Sequence, residues 1–597
     1  MNKNVIDTNK NVYNTAPVAE FLMQHAAGNP VSFHMPGHKG RAIYDEFGYS
    51  DFLGTIMDCD ITEIPGADNL FQTEGIIKET MEHYRKLYGA KASYLLINGT
   101  SGGIIASVLA SVKKGHKLVM ARNCHKSVFN ALTLGDIEPI YAYPDMLEEY
   151  GISGAVSPGE IAKLLDEHAD ADAVILPSPN YYGICSDIKA IAEEVHKRNR
   201  ILIVDQAHGA HLKFFNQFAD KSADKPAYRS ADKPADMADN ARGAVCTGSS
   251  FRMPVSAEEA GADIIINSTH KTLASFTQSA VLNVYTGRVD TFLLEEKLQC
   301  MESTSPSYIL MGSLDINAAI INNHGKELFG RWSDNLAYFY DRAKSIKGLA
   351  VISPESCGMI NGSGRSSNLN GGNSSNMNGG NSNPKGSADL NCSSLNGGMD
   401  WTKINISMEE CGLSGAELEK LLNDEYGIFI ELFTGNIVMC MTGIGNTRED
   451  YDRLLQALEE ISKQYRQSGA DLQESKNAGT GESRNTGEGA NRTAGDDVSK
   501  STGDGISEVA GRKEMKLAWP RFETELHPIP TERRLVPIAE AEGMICAGTV
   551  IPYPPGIPIL CPGEKINSEI RDYIISMRKA GEKVIGVTEK GELMVGK

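Results

Sequence analysis

Two residues far apart in the chain set the chemistry. Lys271 closes the tetrad Ser268-Thr269-His270-Lys271, directly after the apolar run at 262–266. Asp205 closes a second apolar run, Ile201-Leu202-Ile203-Val204, and is followed by Ala207 and His208. A lysine amine set in a polar turn can bond covalently to the aldehyde of pyridoxal phosphate, and a carboxylate at a strand end can pair with the ring nitrogen of the same molecule. His208 is then placed to contact the phenolic oxygen of that cofactor or the substrate carboxylate. The pair points to an enzyme acting on amino acids. The plainer alternative is a loop-capping Asp and a solvated Lys, both common.

Two more segments fit the same reading. Asn98-Gly99-Thr100-Ser101-Gly102-Gly103 lies between a strand at 94–97 and an apolar helix at 104–111. A turn that opens a helix offers free backbone N–H groups to an anion. Thr100, Ser101 and Gly102 are therefore candidates for a phosphate group, against the alternative of an ordinary turn with Ser as N-cap. His125, in Arg122-Asn123-Cys124-His125-Lys126-Ser127, follows a strand at 117–120. Its imidazole face suits stacking on a pyridine ring; a lone His is otherwise a surface or capping residue. Ser268 and His270 flank Lys271 and add further phosphate contacts. The ordered set Gly-Thr-Ser, His, Asp-x-Ala-His, Ser-x-His-Lys, each at a strand end, is what carries the case.

The elements that must position these residues are also visible. From 89 to 285 short apolar runs (93–97, 117–120, 173–176, 201–204, 264–266, 279–284) alternate with helix-like stretches such as 188–199. That alternation predicts an α/β fold with a mainly parallel sheet, with catalytic groups at the carboxyl ends of the strands. Three segments, 216–250, 357–398 and 468–513, are poor in apolar residues. The first repeats Ser-Ala-Asp-Lys-Pro-Ala, and the others are rich in Asn, Gly, Ser and Thr. They predict a flexible loop, a disordered insertion and a disordered linker. A compact α+β stretch at 400–467 reads as strand 403–406, helix 415–425, strands 428–431 and 437–441, and helix 448–464. After the linker, 514–597 forms another unit, whose Pro-punctuated run at 550–559 excludes helix.

Composition bounds the rest. The chain has 597 residues, 41% hydrophobic and 23% charged, with a formal net charge of -19. Such acidity argues against a nucleic-acid partner and suits a cationic ligand. The first 21 residues contain no apolar leader and no run is long enough for a membrane span, so a cytoplasmic protein is expected. Eleven cysteines without a CxxC pair predict neither a metal centre nor a disulfide scaffold, and fit a reducing compartment.

The motifs resemble those of the Orn/Lys/Arg decarboxylase family. The likeness runs through HMPGHKG (34–40), DITEIPGADNL (60–70), LLINGTSGG (95–103), RNCHKS (122–127), PSPNYYG (177–183), VDQAHGAH (204–211), STHKT (268–272) and PYPPGIPILCPGE (552–564). It implies a fold-type-I, aspartate-aminotransferase-like large domain, a small α+β domain and a distinct C-terminal domain. The expected division is an N-terminal arm at 1–70, a large domain at 71–330, a small domain at 331–467, the linker at 468–513 and the C-terminal domain at 514–597. It also implies pyridoxal 5'-phosphate, with Lys271 as its covalent partner, Asp205 at the ring nitrogen and His125 stacked on the ring. Thr100, Ser101, Ser268 and His270 would hold phosphate. A homodimer or higher homo-oligomer is implied, in the short family form that lacks an N-terminal wing.

A basic substrate needs a carboxylate for its distal cation. Glu431 interrupts the apolar run Ile428-Phe429-Ile430 and matches a family position near substrate; Asp68 is the second candidate. The expected reaction is loss of CO2 from arginine, giving agmatine, or from lysine, giving cadaverine, in polyamine metabolism. An aminotransferase of the same fold and a non-catalytic relative are the rivals.

Overall fold

A computed structural model of the chain describes residues 16–147, 150–219, 253–352, 398–478, 524–552, 556–579 and 581–597. Its centre is a seven-stranded sheet. The strands are β1 (Ala92–Leu96), β2 (Lys117–Ala121), β3 (Glu138–Ala142), β4 (Ala171–Pro177), β5 (Ile201–Asp205), β6 (Ile264–Asn267) and β7 (Ala280–Val284). They lie in the order β1-β7-β6-β5-β4-β2-β3, with β7 antiparallel to both neighbours and every other pairing parallel. Strands β5 and β6 are covered on both faces, so they read as unbroken apolar runs rather than alternating ones. Helices complete the layers: α1 (Pro17–Ala27), α2 (Ile76–Tyr88), α3 (Gly99–Ser111), α4 (Lys126–Gly135), α5 (Ile188–Lys197), α6 (Leu212–Ala219), α7 (Thr269–Thr272) and α8 (Tyr308–Ala343). Two apolar cores result, one on each face of the sheet. Leu95 belongs to one and Leu96 to the other, as the two-residue period of a strand demands.

A second, antiparallel sheet is built from β8 (Ala350–Val351), β9 (Lys403–Ser407), β10 (Leu432–Thr434) and β11 (Ile437–Met441), in the order β8-β9-β11-β10. Helices α9 (Gly415–Asp424) and α10 (Arg448–Ala478) accompany it. Its apolar side chains join the same core as α2, α6 and α8. The C-terminal unit has its own core, with β12 (Arg533–Pro537) paired to β13 (Glu592–Gly596) and α11 (Ser568–Lys579) packed alongside.

Several expectations are corrected. The boundary at 330/331 runs through the middle of α8, a single 36-residue helix. Residues 216–219 are the end of α6, where Asn216 Nδ2 donates to the Met253 and Pro254 carbonyls, so the expected loop starts later. Helix α10 runs to Ala478, so residues 468–478 of the expected linker are helix. Residues 428–431 are not a strand; pairing begins at Leu432, and Phe429 is 83% exposed. The edge strand β3 escapes a sequence reading because Glu138 and Pro139 open it, residues tolerated only at a sheet edge. The rest of the loop at 216–250, the insertion at 357–398 except Gly398, and the linker beyond 478 lie outside the described residues.

Candidate active site

The carboxyl ends of the parallel strands open on one cleft of about 290 Å³. Asp205 ends β5, in register with Pro177 of β4 and Ile266 of β6, so three adjacent strands deliver their following loops to one place. Thr100, Ser101, His125, Asp205, His208, Ser268, His270 and Lys271 all line this cleft. Eight of the residues singled out in the sequence, from Thr100 to Lys271, are thus brought together.

Lys271 sits in the short helix α7 with its Nζ 2.9 Å from His208 Nε2 and 5.8 Å from the Tyr181 ring centre. Burial lowers this amine below the usual lysine range, and Lys403 adds to the effect, against the opposing pull of Asp205 and Glu431. Asp205 Oδ1 accepts from the Ala207 N–H at 3.1 Å. Burial pushes its carboxyl up, against the Lys271 charge and that N–H. A carboxylate in this state is stabilised by any cationic N–H that meets it. Burial also drives His208 well below the usual His range, so its ring is neutral. His125 is N-cap to α4, with Nδ1 accepting from the Ser127 N–H at 3.3 Å; its pKa is lowered to about 4, first by burial and then by Lys271. Capping and stacking are therefore compatible roles for one ring.

The opposite wall is built for an anion. Helix α3 starts at Gly99, so Thr100 and Ser101 occupy its first turn, where N–H groups lack intrahelical acceptors. Ser268 Oγ donates to Thr100 Oγ1 at 3.2 Å, joining β6 to that turn. His270 Nδ1 donates to the Ser279 carbonyl at 2.7 Å, which leaves Nε2 as an acceptor. Behind the wall, the buried Glu302 accepts from the Ile97 and Asn98 N–H groups and holds the turn.

Three sequence-derived candidates stand elsewhere. Gly102 lies outside the cleft lining, in α3 directly after Thr100 and Ser101. Asp68 does not line the cleft. Its Oδ1 accepts from the Asn69 and Glu74 N–H groups and its Oδ2 from those of Gly75, Ile77 and Lys78, capping α2. Burial would raise this carboxyl, but the N–H donors outweigh it and lower the pKa. Glu431 is exposed and lies outside the cleft lining, although its charge is felt at Lys271. Sequence reasoning missed Asn123, Tyr181, Thr277 and Gln278. The first two stand inside the runs 122–127 and 177–183, where a polar or aromatic residue between strand and turn was the available signal. Thr277 and Gln278 precede β7 and carry no local mark.

The cleft fits pyridoxal phosphate. His208 Nδ1 and Asn123 Oδ1 are buried there with no hydrogen-bond partner among the described residues, and polar atoms in that condition want a ligand. An amine, a buried carboxyl, a neutral imidazole and a hydroxyl-lined helix start match its aldehyde, ring nitrogen, ring face and phosphate in turn.

The family model described as Orn/Lys/Arg decarboxylase, major domain, matches residues 16–235 and 245–450, and that of the corresponding C-terminal domain matches 508–591. The chain belongs to the Orn/Lys/Arg decarboxylase family. Membership makes it an enzyme that removes CO2 from a basic amino acid, in a family that uses pyridoxal phosphate. It is 28% identical to an arginine decarboxylase of Bacillus subtilis, over 96% of this chain and 95% of that one. It is 23% identical to the lysine decarboxylase LdcA of Pseudomonas aeruginosa, over 94% of this chain and 75% of that one. The crystal structure of the Francisella novicida lysine decarboxylase LdcF superposes with a TM-score of 0.68 at 19% identity, covering 97% of this chain and 80% of that one. That likeness speaks for the fold, which is the fold-type-I arrangement expected from the motifs.

Proposed function

We propose that this cleft holds pyridoxal phosphate and that the chain decarboxylates arginine to agmatine, with lysine to cadaverine as the next substrate to test, in polyamine metabolism. The observation that carries the reading is Lys271 and Asp205 facing one cleft, electrostatically coupled, with His208 Nε2 2.9 Å from the amine. When bound, pyridoxal phosphate supplies an aldehyde that captures an amine covalently and a ring that draws electrons from the bond to the carboxyl group.

The residues divide the remaining work. Lys271 is the nucleophilic amine, and its lowered basicity leaves the lone pair available. His208, neutral and in contact, takes or returns the proton at Nζ. Asp205 keeps the ring nitrogen protonated. His125 presents a neutral face to the ring. Thr100, Ser101, Ser268 and the start of α3 hold the phosphate. Glu431 is the carboxylate for the distal cation; its charge reaches the amine although it lies outside the cleft lining. The long substrate extends toward it.

Arginine leads because the arginine decarboxylase relatives match nearly end to end. A panel of arginine, lysine and ornithine with added cofactor should release CO2 and the matching amine from one of them. Lys271→Ala should lose nearly all of it, about 10³-fold or more, by analogy with removal of a covalent nucleophile. Release that survives the change, or a keto acid in place of an amine, overturns the reading.

Homo-oligomer formation and a cytoplasmic site complete the proposal. Phe33, Phe52, Phe292 and Phe429 are 97%, 90%, 84% and 83% exposed on the single chain, aromatic side chains of the kind enriched in interfaces. A second copy is the occupant in view. All eight cysteines among the described residues are free thiols, which suits a reducing compartment.

A further inference from the structure

His211, Asp400 and Lys403 form a cluster with no solvent exposure, and the roles assigned above use none of them. Asp400 Oδ1 accepts from His211 Nε2 at 3.1 Å and from the Thr402 N–H at 3.0 Å, while Oδ2 accepts from Lys403 Nζ at 3.0 Å. A carboxylate only accepts, so His211 carries its proton on Nε2 and its Nδ1 accepts from the Thr272 hydroxyl at 3.2 Å. Lys403 Nζ also donates to the His208 carbonyl at 2.8 Å. The cluster thus touches the residue after Lys271 and the backbone of the histidine whose ring meets Lys271. Close approach is built in: Asp400 N donates to the Gly183 carbonyl, and a Cβ at Gly183 (φ +90°) would fall 2.8 Å from the Asp400 carbonyl.

Three fully buried ionisable groups are costly unless they serve something. We propose that Lys403, fixed by Asp400 against the back of His208, is a positioning residue for Lys271: it holds the His208 loop in place and sets a second buried ammonium behind the residue whose ring meets the Lys271 amine. The groups that act on or line the cleft with Lys271 are Asp205 at the end of β5 and His208 just after it, His125 at the N-cap of α4, Tyr181 from the 177–183 loop, Glu431 from the segment before β10, and Lys403. Of the cations and anions among them, Asp205 and Glu431 favour the charged amine and Lys403 disfavours it. Asp400 and His211 face Lys403 in turn, and Asp400 remains ionised because His211 and Lys403 outweigh its burial.

The proposal rests on Lys271 being the amine that meets the cofactor, and the test separates the two. In the cofactor-free chain, the rate at which Lys271 is labelled by an amine-acylating reagent, followed by peptide mass spectrometry, is measured against pH. Lys403→Met should move the half-point upward by on the order of half a pH unit or more. Lys403→Arg, which keeps the charge, should restore it. The double change Asp400→Asn with Lys403→Met removes the charge without stranding a buried carboxylate, and should shift the half-point upward as Lys403→Met does. An unchanged half-point in folded Lys403→Met and in the double variant overturns the role of Lys403. Failure of pyridoxal phosphate plus borohydride to mark Lys271 in the parent chain overturns the earlier reading instead.

Discussion

His125 shows how one side chain serves fold and chemistry together. Its Nδ1 caps α4 and its ring lines the cleft. Asn caps a helix about as well as any residue but has no ring to stack. His125→Asn should therefore leave the unfolding midpoint nearly unchanged while weakening pyridoxal phosphate about tenfold, the size of a lost aromatic contact. A fluorescence titration of the cofactor and a denaturant melt, run side by side, check both halves. Lys271, Asp205, Thr100 and Ser268 were legible because each stands where an apolar strand run breaks into a polar turn, a local feature. Lys403 was not. It opens a strand as an ordinary charged residue would, and the His208 carbonyl it meets lies 195 positions away. Asp68 is the opposite case: a polar residue in a turn-rich motif gives no local sign that its carboxylate accepts from five backbone N–H groups.

At the scale of elements, the parallel strands were legible from β-branched runs, while their ends and partners depended on context. Helix α8 crosses the expected domain boundary because its buried apolar positions, Ile321, Phe329, Trp332, Leu336 and Phe339, keep helical spacing straight through it. The C-terminal unit is another such case. Its loop meets the large sheet through Arg122, one residue past β2, whose Nη1 donates to the Pro558 carbonyl at 2.6 Å and whose Nη2 donates to Glu564 Oε2 at 3.1 Å. The guanidinium also lies over Phe129 and Tyr141, and Cys561 joins the sheet's own core. Arg122→Met leaves Glu564 buried without its cation, a loss of about 3–5 kcal/mol. Pairing it with Glu564→Gln should recover much of that. Urea melts of the three chains test this ordering; equal stability of single and double variants would remove the latch. Asn123 and His125 follow Arg122 directly, so the single variant should also loosen the cofactor.

For the molecule as a whole, burial of neutral histidines sets an acid limit. His125, His208 and His211 all titrate below the ordinary value of 6.5, His125 at about 4, with burial the first cause in each. Folded-state values below the unfolded one mean that the unfolded chain takes up protons first as pH falls. Their contribution is fully present above about pH 6.5 and is lost as pH drops toward 4. Melts between pH 7.5 and 4.5 should show a steady decline, blunted in His211→Gln. Light scattering addresses the exposed phenylalanines: a mass of two chains or more is expected, and a strict monomer at micromolar concentration removes the oligomer.

Gly398 and Asp400, the first residues described after position 352, are stitched to the 183–185 turn by the Cys185 N–H to Gly398 carbonyl and Asp400 N–H to Gly183 carbonyl bonds. Lys403 then reaches the backbone beside the reactive amine. A polypeptide severed between 352 and 398 would thus give two fragments, neither of which holds a finished centre: one carries the amine and the ring's carboxylate, the other the charge that tunes them. Co-produced, they have a ready-made docking seam, and reconstitution would switch on only when both halves meet.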